Sequence, residues 1–161
     1  MNAPREKQNL FYLLLGLGLL LTLLPLPDNL EAFRPPWVSL LLIYMSLQGS
    51  RPVSLGFVFL LGLLADILLS SLIGLHALQW VVLMFLMAKF SSRIRFSSPL
   101  RQMLTVFLLL LNERFILLWV LLLRGEHGLG FYLWVPAIIG ALIWPIMFVF
   151  LSRLRQLSQR N

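Results

Sequence analysis

Cysteine is absent from this 161-residue chain. That excludes disulfides, thiolate catalysis, iron–sulfur clusters and cysteine-bound zinc, and it leaves the compartment unreadable from redox chemistry. Charge is scarce too: 12% of residues are Asp, Glu, Lys or Arg, about half the roughly 25% of a soluble domain. What fills the chain instead is hydrocarbon, with 60% hydrophobic residues and a mean hydropathy of +0.91. The charged residues cluster between long apolar runs and do not line amphipathic faces. A water-soluble fold needs a polar surface that this composition does not supply, so lipid is the solvent. At about 20 residues per span, six or seven spans are the ceiling. Too little chain then remains outside the bilayer for a soluble catalytic domain. The net charge of +7 and pI near 11.1 mark cytoplasmic loops meeting anionic headgroups; no nucleic-acid partner is expected.

Met1–Asn9 is polar and basic and Leu10–Leu24 is apolar, an order that a signal peptide shares. The following Pro25-Leu-Pro-Asp lacks a small-x-small cleavage pattern, and later segments are membranous as well, so a retained first helix is expected. Pro25, Pro27, Pro35 and Pro36 punctuate the next link, because proline ends helices and stiffens turns. The expected spans are approximately 9–26, 36–48, 53–71, 75–90, 102–123 and 131–151, forming one transmembrane domain over residues 1–161. The second is short for a bilayer and must bend or draw in flanking residues. Segment 91–101 reads as a polar, basic connector, and 124–128 as a tight turn. Pro145, inside the sixth span, removes a backbone donor and is expected to kink it.

Orientation follows from Lys and Arg. With the N-terminus inside, the cytoplasmic side collects Arg5, Lys7, Arg51, Lys89, Arg93, Arg95, Arg101, Arg153, Arg155 and Arg160, against Arg34 and Arg124 outside. Both termini are basic, which requires an even number of spans. Trp37, Trp80, Trp119 and Trp134 fall near the outer ends of their spans, where amphipathic indoles favour the interface; only Trp144 lies deeper. The expected fold is an all-α membrane protein of six transmembrane helices with both ends cytoplasmic.

Ionisable groups inside a span are costly and are functional candidates by default. The third span carries Asp66, with Gly62 and Ser70 one turn to either side on the same face. A small or polar stripe of this kind lets helix backbones approach closely in lipid. The fifth span carries Asn112, Glu113 and Arg114. Adjacent helical residues do not face one another, so Glu113 and Arg114 are poorly placed to pair directly. Counted from the cytoplasmic ends, Asp66 and Arg114 both sit roughly 20 Å up their helices at ~1.5 Å per residue, which makes a pair between them one candidate; the alternative is that each snorkels or meets a different partner. Neither place looks catalytic: an intramembrane aspartyl protease needs two cooperating carboxylates, and the companion of Asp66 is Glu113, itself beside an arginine. His76 and His127 sit at the outer edge with no ligand cluster, so no metal and no cofactor are expected. Gly56, Gly62, Gly74 and Gly140 read as packing or turn residues.

Three stretches together resemble the MreD family of rod shape-determining membrane proteins. They are Pro27-Asp-Asn-Leu-Glu-Ala-Phe-Arg-Pro-Pro-Trp-Val leading to Leu42-Ile-Tyr, the pattern Gly56-x5-Gly62-x3-Asp66-x7-Gly74, and Gly140-Ala-Leu-Ile-Trp-Pro followed by a basic tail. Arg34, Pro35 and Trp37 carry the most specific signal; Pro36 and Met45 depart from the family's usual residues. The likeness covers essentially the whole chain. It implies a non-enzymatic subunit of the bacterial inner membrane, working in cell elongation with MreC, MreB, RodA and a class B penicillin-binding protein. Within that resemblance Arg34, Pro35, Trp37, Tyr44, Gly62, Asp66 and Gly74 are the candidate contact or folding residues. The family is also similar in fold to the substrate-binding subunits of energy-coupling-factor transporters, an analogy of fold that does not by itself imply transport. The rival reading is a small-molecule transporter subunit, which should hold its ligand in a polar cavity.

Overall fold

The computed structural model of the chain describes residues 3–24, 27, 33–48, 53–95, 97–126 and 130–157. Among these the regular elements are all helical: α1 (Ala3–Leu23), α2 (Trp37–Gln48), α3 (Leu55–Leu68), α4 (Leu75–Arg95), α5 (Pro99–Leu123) and α6 (Val135–Leu157), with a 3-10 turn at Phe131–Leu133. Leu75–Arg95, Pro99–Leu123 and Phe131–Leu154 are each long and apolar enough to cross a membrane, whereas the apolar parts of α1, α2 and α3 are shorter. Of the residues discussed above, Pro25, Asp28–Ala32, Arg51, Pro52, His127 and Arg160 lie outside the described residues, as do the side chains of Arg5, Lys7 and Arg155.

The shortest helix occupies the centre. At 12 residues, α2 rises only ~18 Å, yet Val38 to Met45 are all buried, and so is Leu47. A helix apolar on every side needs neighbours on every side. Here α1, α4, α5 and α6 supply them, while α3 packs on α4 and α5 packs on α6. Leu40, Leu42 and Ile43 of α2 share a core with Leu83 and Met87 of α4, Leu110 of α5 and Trp144 of α6. The outward faces of α1, α3 and α6 present Leu13, Leu17, Leu20, Leu60, Leu64, Ile67, Leu142 and Ile146, all exposed, as helices solvated by lipid require.

Three boundaries differ from expectation. The connector at 91–101 is mostly helix, because α4 continues to Arg95 and α5 already begins at Pro99. Backbone hydrogen bonding does not stop at the hydrocarbon boundary, and Lys and Arg are good helix formers. Proline is suited to the first turn, where its missing N–H has no partner to lose, and Ser98 ahead of it is extended. At the other end, α3 stops at Leu68 and does not reach Ser71. Ser70 takes the left-handed conformation (φ 50°), and Ser71 N–H bonds back to Asp66 O at 3.0 Å while Ser70 N–H bonds to Ile67 O at 3.3 Å. That pair of bonds is a Schellman stop. The proposed stripe is therefore shortened: Ser70 is not on the helical face of Gly62 and Asp66. Finally, α6 starts at Val135 and runs through Pro145 to Leu157.

The end of α1, the start of α2, the end of α3, the start of α4 and the start of α6 meet around one hollow, together with part of α5. The exposed side chains of Lys89, Arg93, Arg95, Arg101 and Arg153 lie on the segments at the opposite end.

Candidate functional site

Asp66 occupies the last turn of α3 and is 0% exposed. A carboxylate there needs several donors, and the turn to α4 provides them. Oδ1 accepts from Ser71 Oγ at 2.8 Å and from the backbone N–H of His76 at 3.0 Å, and lies 2.7 Å from His76 Nδ1. Oδ2 accepts from Gly74 N–H at 2.8 Å. The N–H groups of a helix's first turn have no partner within the helix, and a negative charge there is favoured by the helix dipole. Asp66 thus caps α4 from the preceding helix. Gly74 holds φ 95°, a conformation that a side chain disfavours. One turn before Asp66, Gly62 lies against α4 so closely that a Cβ there would overlap the Ala77 backbone.

Of the two alternatives for Asp66, these bonds favour a partner other than Arg114. Ion pairs among the described residues include His76–Asp66 and the exposed Arg124–Glu126 at 3.4 Å, and neither involves Arg114. Equal height along two helices fixes one coordinate and leaves the facing direction open; α3 packs on α4, and Arg114 belongs to α5. His76, dismissed as a metal ligand, is instead a partner of Asp66, and its ring meets Trp80 edge-on at 5.6 Å between centroids. No group of three or more metal-ligating His, Asp or Glu side chains forms among the described residues.

The second acidic residue has a different setting. Glu113 is 2% exposed. Its Oε2 accepts from Ser39 Oγ at 3.0 Å, and its backbone carbonyl accepts from Gln79 Nε2 at 2.9 Å. Its Oε1 is buried without a hydrogen-bond partner. Beside it is a partly open cavity of about 300 Å³, lined by Arg34, Pro35, Pro36, Trp37, Ser39, His76, Gln79, Trp80, Glu113 and Arg114, with Thr22, Val38, Leu69 and Pro136. Arg114 Nε and Arg34 Nε are also buried without partners.

Arg34 has a structural task as well. Its Nη1 and Nη2 donate to the carbonyl oxygens of Thr22 and Leu24, both at 2.5 Å. These are carbonyls at the end of α1, where the helix supplies no further N–H. The guanidinium thereby ties the end of α1 to the start of α2. Trp37 begins α2 and lines the cavity with Pro35. Pro36 packs under Gly140, where a Cβ would stand 3.2 Å from Pro36 Cδ and 2.5 Å from Leu110 Cδ1. Tyr44 does not line the cavity and is buried edge-on against Phe148 at 5.8 Å. Asn112 is half-buried on α5 and does not line the cavity. Gly56 is exposed and has room for a side chain, so neither packing nor a turn explains it. Sequence reading singled out Arg34, Pro35, Trp37, Glu113 and Arg114 but missed Ser39, Ser71 and Gln79, which are ordinary polar residues until a fold brings a carboxylate to them.

Described residues of the stretches quoted for the resemblance supply a cap, a close helix approach and a cavity wall. Comparison with known proteins decides the family. A family model described as rod shape-determining protein MreD matches residues 6–154. The chain belongs to the MreD family. A curated relative, the rod shape-determining protein MreD of Haemophilus influenzae, is 33% identical over 144 residues, covering 87% of this chain and 86% of the relative. No solved structure matches. Membership supports a role in rod shape, and in this MreD chain the matched region contains both buried acids and every residue named as lining the cavity.

Proposed function

We propose that this chain is a non-catalytic, multi-pass subunit of the bacterial inner membrane that serves the cell-elongation machinery. In this reading it holds or regulates MreC and the synthase formed by RodA and a class B penicillin-binding protein, alongside MreB. The observation that carries the proposal is the family match across residues 6–154. The architecture is consistent with it: the described connections between helices are short, so binding must use helix faces, the short loops or the basic end. Six spans, one transmembrane domain and cytoplasmic termini complete the reading, with Lys89, Arg93, Arg95, Arg101 and Arg153 on the cytoplasmic side and the cavity toward the outer leaflet. Arg34, Pro35 and Trp37 then stand at the outer surface as contact residues, while Asp66, Gly62 and Gly74 serve folding.

The cavity favours a second reading, that of a small-molecule-binding subunit with a fold like those of energy-coupling-factor transporters. Depletion in the native rod-shaped cell, with recovery of MreC on the tagged protein, separates the two. Loss of rod shape and co-purification of MreC are expected; normal rods with no MreC recovered would overturn the scaffold reading.

A further inference from the structure

We infer that the cavity beside Glu113 is a binding site for a phosphoester that carries its own ammonium N–H donor, the chemistry of a phosphoethanolamine group. The cavity walls leave several polar atoms unpaired. Glu113 is almost completely buried, and only one of its two carboxylate oxygens has a donor, from Ser39. A buried acceptor without a partner carries the full cost of its desolvation, larger for a charged group than for a neutral one. Arg34 and Arg114 each have a buried Nε without an acceptor. Arg34 already uses both terminal nitrogens on α1, whereas no hydrogen bond of the Arg114 fork to a described residue is found.

Two guanidiniums against one carboxylate favour an anion. The free carboxylate oxygen opposes a bare anion and requires a donor. One ligand satisfies both demands if it joins an oxyanion to an ammonium group. About 300 Å³ is the lower end of the size range of small-molecule pockets. Trp37 and Trp80 belong to the wall, and indoles favour the headgroup level of a bilayer, where phosphate is the oxyanion at hand. A lipid headgroup and a free phosphoester offer the same chemistry, so the source is a matter for the test. Water is the competing occupant, since the volume admits roughly ten molecules at about 30 Å³ each.

The test uses the full chain in dodecyl maltoside micelles and reads intrinsic tryptophan emission and melting temperature during titration. The probes are phosphoethanolamine, phosphocholine, inorganic phosphate and dihexanoyl phosphatidylethanolamine. Saturable binding is expected for an ethanolamine probe. Phosphocholine, whose methylated nitrogen has no N–H to give Glu113, should bind at least tenfold more weakly, and inorganic phosphate likewise. Arg114→Gln should weaken ethanolamine-probe binding at least tenfold, and Glu113→Leu should abolish the preference for ethanolamine over choline. Binding of the lipid alone assigns the site to a headgroup; binding of both ethanolamine probes admits a soluble ligand, and either result supports the proposal. Equal binding of the choline and ethanolamine probes, or no saturable binding at all, would overturn it and leave a water-filled hollow. The choline comparison is made on the unmodified chain, so it stands even if a variant fails to fold. No partner protein takes part, so this outcome is separate from that of the MreC experiment.

Discussion

Asp66 and Glu113 are both carboxylates buried within apolar helices, yet their surroundings are opposite in kind. Both oxygens of Asp66 are engaged, and every partner lies five to ten residues along the chain. Glu113 has one side-chain partner, Ser39, 74 residues away, and one oxygen with none. The difference shows that an intramembrane charge is not by itself a sign of function. Where the local turn satisfies the group completely, the charge is a fold determinant. Where long-range packing satisfies it in part and leaves a cavity alongside, a ligand has somewhere to bind.

Substitutions at the two acids and their supports test that contrast. Asp66→Ala removes the fully buried carboxylate that binds the N–H groups of Gly74 and His76 in a half-buried turn, and a loss of about 3–5 kcal/mol is expected, read by thermal melting in detergent. A small loss would place Asp66 with Glu113 and dissolve the comparison. Gly62→Leu forces the side chain into the Ala77 backbone and should cost about 2–3 kcal/mol, with increased hydrogen exchange in the α3–α4 hairpin. Gly74→Ala meets no neighbouring atoms, so its penalty isolates the backbone φ of 95° at about 1–2 kcal/mol. Glu113→Gln keeps an oxygen for Ser39 and should change stability by less than about 1 kcal/mol. A loss comparable to that of Asp66→Ala would make Glu113 a structural group as well.

The sequence made some of this legible for reasons that can be named. Asp66, Glu113 and Arg114 stood out because charge in an apolar run is costly. Gly62 stood out because a helical turn separates it from Asp66 and small residues permit close approach. The hydrophobic runs located all six helices, but the basic stretch after Phe90 concealed that α4 continues to Arg95, since charge reports the edge of the lipid and not the end of a helix. Partners were harder to see. Rise per residue along α3 and α5 said nothing of the direction in which Asp66 and Arg114 each face. Ser71 and His76 became partners only through the left-handed turn at Ser70, a residue whose sequence does not announce that conformation. Ser39 is one serine in an apolar segment and gains meaning from Glu113 only once α2 is enclosed.

The cap on α4 also bears on how the chain reaches the membrane. All the groups that bond the Asp66 side chain are synthesised within ten residues of it, so the α3–α4 hairpin can neutralise its most costly group while the rest of the chain is still emerging. Short sequence separation makes such contacts quick to form. Insertion of this hairpin as a pair can therefore precede assembly around α2. Glu113 has no such advantage, because its Ser39 partner must first be brought to it across three intervening helix boundaries. A fragment comprising α3 and α4 should insert in a cell-free membrane system, and the Asp66→Ala form of the same fragment should insert less well.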